Sequence, residues 1–448
     1  MTPVTARPAS EGDQLFTGTA HVEQMLRFEA ALARAEGRAG IIPHEAAAAI
    51  VESCRIERFD VPALERDALH AGTLAIPLVQ QLIANAPPSA RPYVHWGATS
   101  QDVIDTALVL QMRDGLTHLV ADLGATGDAL AVLADSHRSA VMPGRTLLQH
   151  AVPITFGLKA AHWLGAIGRR IVELRALRRD ALVLQFGGAA GTLAALGANG
   201  TVVAELLAEE LELPRPDLPW HGDRDRPAAV VSALGITAGV IAKIARDLVL
   251  LAQTEVGEAV EGSAAGKGTS SAMPQKRNPV DATNAIARAQ LAIGTVPVML
   301  SGMAQEHERG AGGWQAEWTV IPDAFRHTMH AAAHLRSAIA GLDVRTDRMR
   351  ANLEQAGGSL MAESLSAALV PHVGRPEAMR LVSQVVERAF HERIVLHEAA
   401  KRDAQISALL APPDIDRALD ATSYLGNTNE LIERALRSWR DVPKGDER

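Results

Sequence analysis

The sequence predicts an all-α protein: a central bundle of about five long helices flanked by two smaller helical domains. Three observations carry that expectation. Apolar residues recur at three- and four-residue spacing over long stretches, whereas strand signals are few. Hydrophobic residues make up 47% of the chain and aromatics only 3%, so the core is built from Ala, Leu, Ile and Val, a composition suited to closely packed long helices. Helices between about residues 43 and 90 and after about 346 are short and interrupted by Pro62, Pro77, Pro87, Pro88, Pro371, Pro376, Pro412 and Pro413. The division expected is an N-terminal helical domain over 1–114, the long bundle over 115–345 and a C-terminal helical domain over 346–448.

In chain order, residues 18–40 place Met25, Phe28, Leu32 and Ala35 three and four apart, and Gly40 and Pro43 close that helix. Thr99 with Asp102 resembles a capping box with Asp in place of Glu, so a helix begins there, runs to about 113, and is followed by another over 115–137. Residues 142–153 read as a non-helical connector. Over 154–183, Leu164, Ile167, Ile171, Leu174 and Leu177 form a bundle seam. The stretch 185–197 is glycine-rich but lacks the strand–turn–helix setting of a dinucleotide loop, and reads as a turn between helices. A third long helix over 227–259 carries Ile236, Val240, Ile244 and Leu248. A fourth runs over 278–304 and a fifth over 318–340. Long bundles of this kind bury apolar faces against copies of themselves, so an oligomer is expected.

Composition narrows the function. The formal net charge is −8 with no basic block, which argues against nucleic acid as a partner and requires a local Arg/Lys cluster for any anionic substrate. Cys54, the single cysteine, excludes an intrachain disulfide and a multi-cysteine metal site. No histidine pair has ligand spacing with a carboxylate, so no metal site is expected. Residues 1–14 are polar and lack a signal core. The longest apolar run, 228–242, is shorter than the roughly 20 residues of a membrane span, and Lys243 and Arg246 follow it. A soluble cytoplasmic protein without a membrane partner is expected.

The stretch that reads most like chemistry is 262–279. Glycines at 262, 266 and 268 lend it mobility, Ser270 and Ser271 follow, then Lys276, Arg277 and Asn278-Pro279. Asn278 reads as an N-cap with proline at the first helical position, a helix end that offers N–H groups to an anion. A serine hydroxyl is a poor base in water. It serves only if cations and backbone N–H groups stabilise its alkoxide, and this stretch supplies both.

Three separated segments resemble the three signatures of the fumarase/aspartase superfamily: Gly97-Ala98-Thr99-Ser100-Gln101-Asp102, Gly144-Arg145-Thr146 with Gln149, and 270–279. The resemblance spans nearly the whole chain. Segments 184–191, Pro219-Trp220-His221, 305–309 and Tyr424-Leu425-Gly426 are similar to a bacterial cycloisomerase branch that closes a lactone ring on a carboxylated muconate during aromatic degradation. The resemblance implies cofactor-independent chemistry through an aci-carboxylate carbanion on a small tricarboxylate. It implies Ser270 as the proton-transfer group, and Thr99, Ser100, Thr146, Gln149, Lys276 and Asn278 as carboxylate holders. It also implies a homotetramer whose sites draw on three chains. Arg309 and Arg145 suit two-pronged carboxylate binding if they point inward. His95 either lines the site or packs beside it. His307, between Glu306 and Glu308, reads as surface, and Trp314 and Trp318 as core or interface.

The departures from the family pattern discriminate between reactions. Leu147 follows Thr146 where related lyases carry a proton-transferring histidine; His150 either substitutes for it or packs. Thr269 replaces the usual glycine and stiffens the loop. Residues 71–77 lack the His-Asp-Val of adenylosuccinate lyase. Expelling hydroxide needs a general acid because water has a pKa of about 15.7, whereas a carboxylate leaving group, with a pKa of about 4, does not. Leu147 therefore favours lactone chemistry. The alternatives are an adenylosuccinate-type lyase, for which no dedicated phosphate site is visible, and an inactive structural relative.

Overall fold

The computed structural model describes residues 11–262 and 267–443. Residues 1–10, with most of the polar N-terminal stretch, and 263–266, with Gly266, lie outside the described residues. The chain is all-α as expected. Its long helices are Ser100–Ser136, Phe156–Asp180, Asp225–Leu251, Val280–Ser301 and Gly313–Ala340. Gly18–Arg38 begins at the predicted place, capped by the Thr17 side chain, which accepts from the Ala20 N–H.

Several boundaries differ from expectation, each for a physical reason. The predicted break near 114 does not exist: the helix runs unbroken from Ser100 to Ser136. Gly115 is there for close approach, because a Cβ on it would lie 2.7 Å from the Phe325 ring, which itself stacks on Phe16 at 4.9 Å. The helix expected over 227–259 ends at Leu251. Its buried stripe is Val230, Leu234, Ala238, Ile241, Ala245 and Leu248, and Ile236 faces outward at 52% exposure. In the Phe156–Asp180 helix, Leu164, Ile167, Ile171 and Leu174 are buried as predicted.

The segment 142–153, expected as a plain connector, is a β-hairpin of Val141–Thr146 with Gln149–Thr155. Its tip is Leu147-Leu148, both in the left-handed region at φ 51° and 64°. That turn normally takes Asn or Gly, so the sequence carries no hairpin signal. A second short pairing joins Ala259–Val260 to Asp343–Val344.

The chain divides into two compact units. The first comprises Met1–Asp122, Arg170–Ala242 and Ala285–Ala333; the second comprises Leu123–Arg169, Lys243–Asn284 and His334–Arg448. Met25, Phe28, Leu64, Leu78, Leu110 and Phe325 are fully buried in the first, as are Phe156, Trp163 and Leu164 in the second. Within the second, Leu365, Leu369, Leu381, Val385, Ile406 and Ile415 form a C-terminal core.

Two helices, Ser100–Ser136 and Asp225–Leu251, are long and apolar enough to cross a membrane by length and composition alone. The apolar run at 228–242 lies inside the second of these helices. The first of these helices buries Asp102, Asp105, Thr106 and Gln111, and Asp102 and Asp105 are paired within the protein. That pattern belongs to a packed protein core.

Candidate active site

In the first unit the first signature opens the Ser100–Ser136 helix, and Asp102 organises it. This fully buried carboxylate accepts the Thr99 N–H at 3.0 Å, the reciprocal half of a capping box. It also accepts the Gly187 and Gly188 N–H groups at 2.9 Å each, and pairs with His221 Nε2 at 2.7 Å. The glycine-rich turn is therefore a carboxylate-binding turn. Glycine is required at Gly188, with φ 68°, because a Cβ would lie 2.9 Å from the Gly97 carbonyl. The hydroxyls of Thr99 and Ser100 are half-exposed and make no side-chain hydrogen bond to the described residues.

Behind Asp102 lies a buried ionic cluster. Arg224 Nη1 donates to Asp105 at 2.7 Å and Nη2 to Glu317 at 2.5 Å; it stacks over Trp220, its guanidinium carbon 4.8 Å from the ring centroid. Trp314, a core residue, donates to Asp105 at 2.9 Å and meets Trp318 edge-on. Burial raises the Glu317 carboxyl above its usual range despite Arg224. Arg309 reaches this cluster through Gln101: its Nε donates to Gln101 Oε1 at 3.0 Å, and its Nη2 to the Ala189 carbonyl at 3.1 Å. His95 Nδ1 bonds the buried Glu29 at 2.6 Å. Burial opposes its charge, but Glu29 overcomes this and raises its pKa. His307 is exposed, as the sequence suggested.

In the second unit, Ser270 sits in a loop closed at its base. Thr269 bridges Arg277, and the Asn278 N–H donates to the Gly268 carbonyl at 2.9 Å. Gly268 has φ 70°, and a Cβ there would lie 2.5 Å from the Asn278 oxygen. Ser270 Oγ accepts the Met273 N–H at 3.2 Å and the Ala272 N–H at 3.4 Å. The hydroxyl thus faces the kind of donors that stabilise an alkoxide. Lys276 and Arg277 are exposed.

The predicted N-cap is corrected. The helix starts at Val280, not Asn278, and its first N–H groups are not free for a substrate anion. Glu261 takes them, its Oε1 accepting from Ala282 at 2.6 Å and its Oε2 from Asp281 at 3.1 Å. Lys267 bridges Glu261 and Asp281 at 3.3 and 2.8 Å. Burial opposes the charge on Asp281, but bonds from His334, Lys267 and Ser337 prevail and hold its carboxyl well below the usual range.

The second signature lies on the hairpin, with Thr146 opposite Gln149 at its tip. Thr146, Gln149 and His150 line one cavity of about 900 Å³, together with Leu148, Ser359 and Glu363. Leu147 points away into solvent at 97% exposure. Arg145 is not a free substrate clamp, because it makes a two-pronged pair with the buried Glu258 at 2.8 and 2.7 Å, and Asn352 also donates to Glu258. Burial and the Arg145 charge lower the pKa of His150.

Each unit thus holds its own set: His95, Thr99, Ser100 and Arg309 in the first, and Thr146, Gln149, Ser270, Lys276 and Asn278 in the second. Sequence reasoning missed the roles of Gln101, His221, Arg224 and Glu261. Only Asp102 had a signal, its spacing from Thr99.

Residues 8–294 match the lyase family model, and 358–435 match the adenylosuccinate lyase C-terminus model. The chain belongs to this lyase family, the fumarase/aspartase superfamily. Within it, the chain is 47% identical to the 3-carboxy-cis,cis-muconate cycloisomerase of Bradyrhizobium diazoefficiens, over 93% of each chain. It is 45% identical to the enzyme of that name from Pseudomonas aeruginosa, over 94% of this chain and 93% of that one. The crystal structure of 3-carboxy-cis,cis-muconate lactonizing enzyme from Pseudomonas putida superposes with a TM-score of 0.91 at 43% identity, covering 96% of this chain and 97% of that one.

Proposed function

We propose that this chain is a cofactor-independent cycloisomerase that interconverts 3-carboxy-cis,cis-muconate and its carboxy-muconolactone. The observation that carries this reading is the end-to-end match to cycloisomerases, at 45–47% identity over more than nine-tenths of the chain. In the lactonising direction a substrate carboxylate oxygen bonds to a ring-closing carbon. The double-bond electrons move next to a second carboxylate, giving the aci-carboxylate, and Ser270 delivers a proton to that carbon. The resulting alkoxide rests on the Ala272 and Met273 N–H groups, whose bonds to Ser270 Oγ support this role. In reverse, the alkoxide takes the proton and a carboxylate departs unaided. No general acid is needed, which suits a chain whose Leu147 has no proton to give and whose His150 favours the neutral form.

Thr99, Ser100, Thr146, Gln149, Lys276, Asn278 and Arg309 hold the three substrate carboxylates, with His95 beside them. Because Glu261 caps the Val280–Ser301 helix, side chains rather than that helix end carry the anion. The reading goes with a cytoplasmic homotetramer with shared sites, and divides the chain by role at 1–114, 115–345 and 346–448, although the Ser100–Ser136 helix crosses the first of these boundaries. Leu291, Ile293, Val298 and Leu300, between 42 and 52% exposed on one helix, support assembly. Ultraviolet absorbance tests the reaction. Purified protein is expected to deplete the muconate diene and leave adenylosuccinate uncleaved; the reverse pattern would assign it to the adenylosuccinate-type lyases.

A further inference from the structure

We propose that Gln101 is a positioning residue for Arg309, holding its guanidinium so that the Nη1 end is the one presented to a substrate carboxylate. This rests on the reading that Arg309 binds substrate. Gln101 lies inside the first signature, next to Thr99 and Ser100, yet it is fully buried. Its amide has no freedom to flip. Nε2 donates to Asp105 Oδ2 at 3.1 Å and to the His221 carbonyl at 3.0 Å, two groups that can only accept. Its oxygen must therefore face Arg309 Nε, and it does so at 3.0 Å.

Asp105 is in turn immobilised by Arg224 at 2.7 and 3.1 Å and by Trp314 at 2.9 Å. The anchor of Arg309 thus reaches into the buried ionic core. With Gln101 on Nε and the Ala189 carbonyl on Nη2, one side of the guanidinium is taken by the protein. Among the described residues Nη1 has no partner, so the end of the fork remains for a two-pronged carboxylate contact. A flexible arginine would lose rotamer freedom on binding; one held by Gln101 has already lost it.

The test is a double-mutant cycle on KM and kcat for the carboxylated muconate, with melting temperature recorded for each variant. A lost hydrogen bond to a charged group corresponds to about tenfold or more. Gln101→Leu is therefore expected to raise KM about tenfold with a smaller change in kcat, and Arg309→Ala to raise it at least as much. The double variant is expected to be no worse than Arg309→Ala alone, because Gln101 then has nothing to position. Gln101→Met, closer in volume, repeats the comparison with packing held constant. Multiplying effects in the double variant would overturn the proposal. A raised KM for Arg309→Ala with an unchanged KM for both Gln101→Leu and Gln101→Met overturns this inference alone. An unchanged KM for Arg309→Ala overturns the reading of Arg309 beneath it.

Discussion

Glu36 and Glu29 lie on one face of the Gly18–Arg38 helix, each 1% exposed, and each keeps a carboxyl oxygen without a partner among the described residues. Burial first, and then the Glu29 charge, push the Glu36 carboxyl up to about 9 from an ordinary 4.5. The folded chain therefore keeps a proton that the unfolded chain releases across that interval. The contribution of Glu36 to stability is present below pH 4.5 and is lost as pH rises towards 9. Glu36→Gln removes that loss. It is expected to raise the melting temperature by a few degrees at pH 8.5, about 1–2 kcal/mol, and by little at pH 5. Equal gains at both pH values would show that Glu36 does not titrate in this range. At the same scale, side-chain chemistry was legible where it is local. Thr99 with Asp102 was readable from spacing, and Trp314 as core or interface from residue type, whereas the role proposed for Ser270 came from the resemblance. Arg145 was readable only as a guanidinium, because its partner Glu258 comes from a distant part of the chain.

Among the elements, helix periodicity gave the long helices with their approximate ends. It failed where a single tertiary contact decides. Gly115 resembles a helix breaker until the Phe325 ring beside it is seen, and the Leu147-Leu148 turn lacks the residues that mark a hairpin. The start of the Val280–Ser301 helix is the most instructive failure. Asn278-Pro279 has the composition of a cap, but Glu261 does the capping from across the loop, with Lys267 tying it to Asp281. Replacing Glu261 by Ala is expected to cost about 1–2 kcal/mol in denaturant unfolding, the upper range of a lost cap, and to lower turnover by loosening the base of the Ser270 loop. Full stability in that variant would mean that the Glu261 cap contributes nothing to stability.

For the whole molecule, the resemblance of three short segments anticipated an all-α family that the chain belongs to, because those segments carry the family's signatures while composition carries its core. What the sequence could not supply was the buried scaffold beneath them: Gln101 and Asp105, one helical turn apart, meet the distant Arg224 and Glu317 only on folding. The exposed apolar positions on the Val280–Ser301 helix belong to the same scale. Light scattering at micromolar concentration is expected to give four times the 47.5 kDa chain mass, and a monomer would contradict shared sites.

The central claim is that Ser270 transfers the proton at carbon. Ser270→Ala, checked for folding by its melting curve and circular dichroism, is to be followed by loss of the muconate diene absorbance. The account predicts a native fold with turnover lowered at least a thousandfold, about 4 kcal/mol of lost transition-state stabilisation. Turnover within tenfold of the unmodified protein would contradict it.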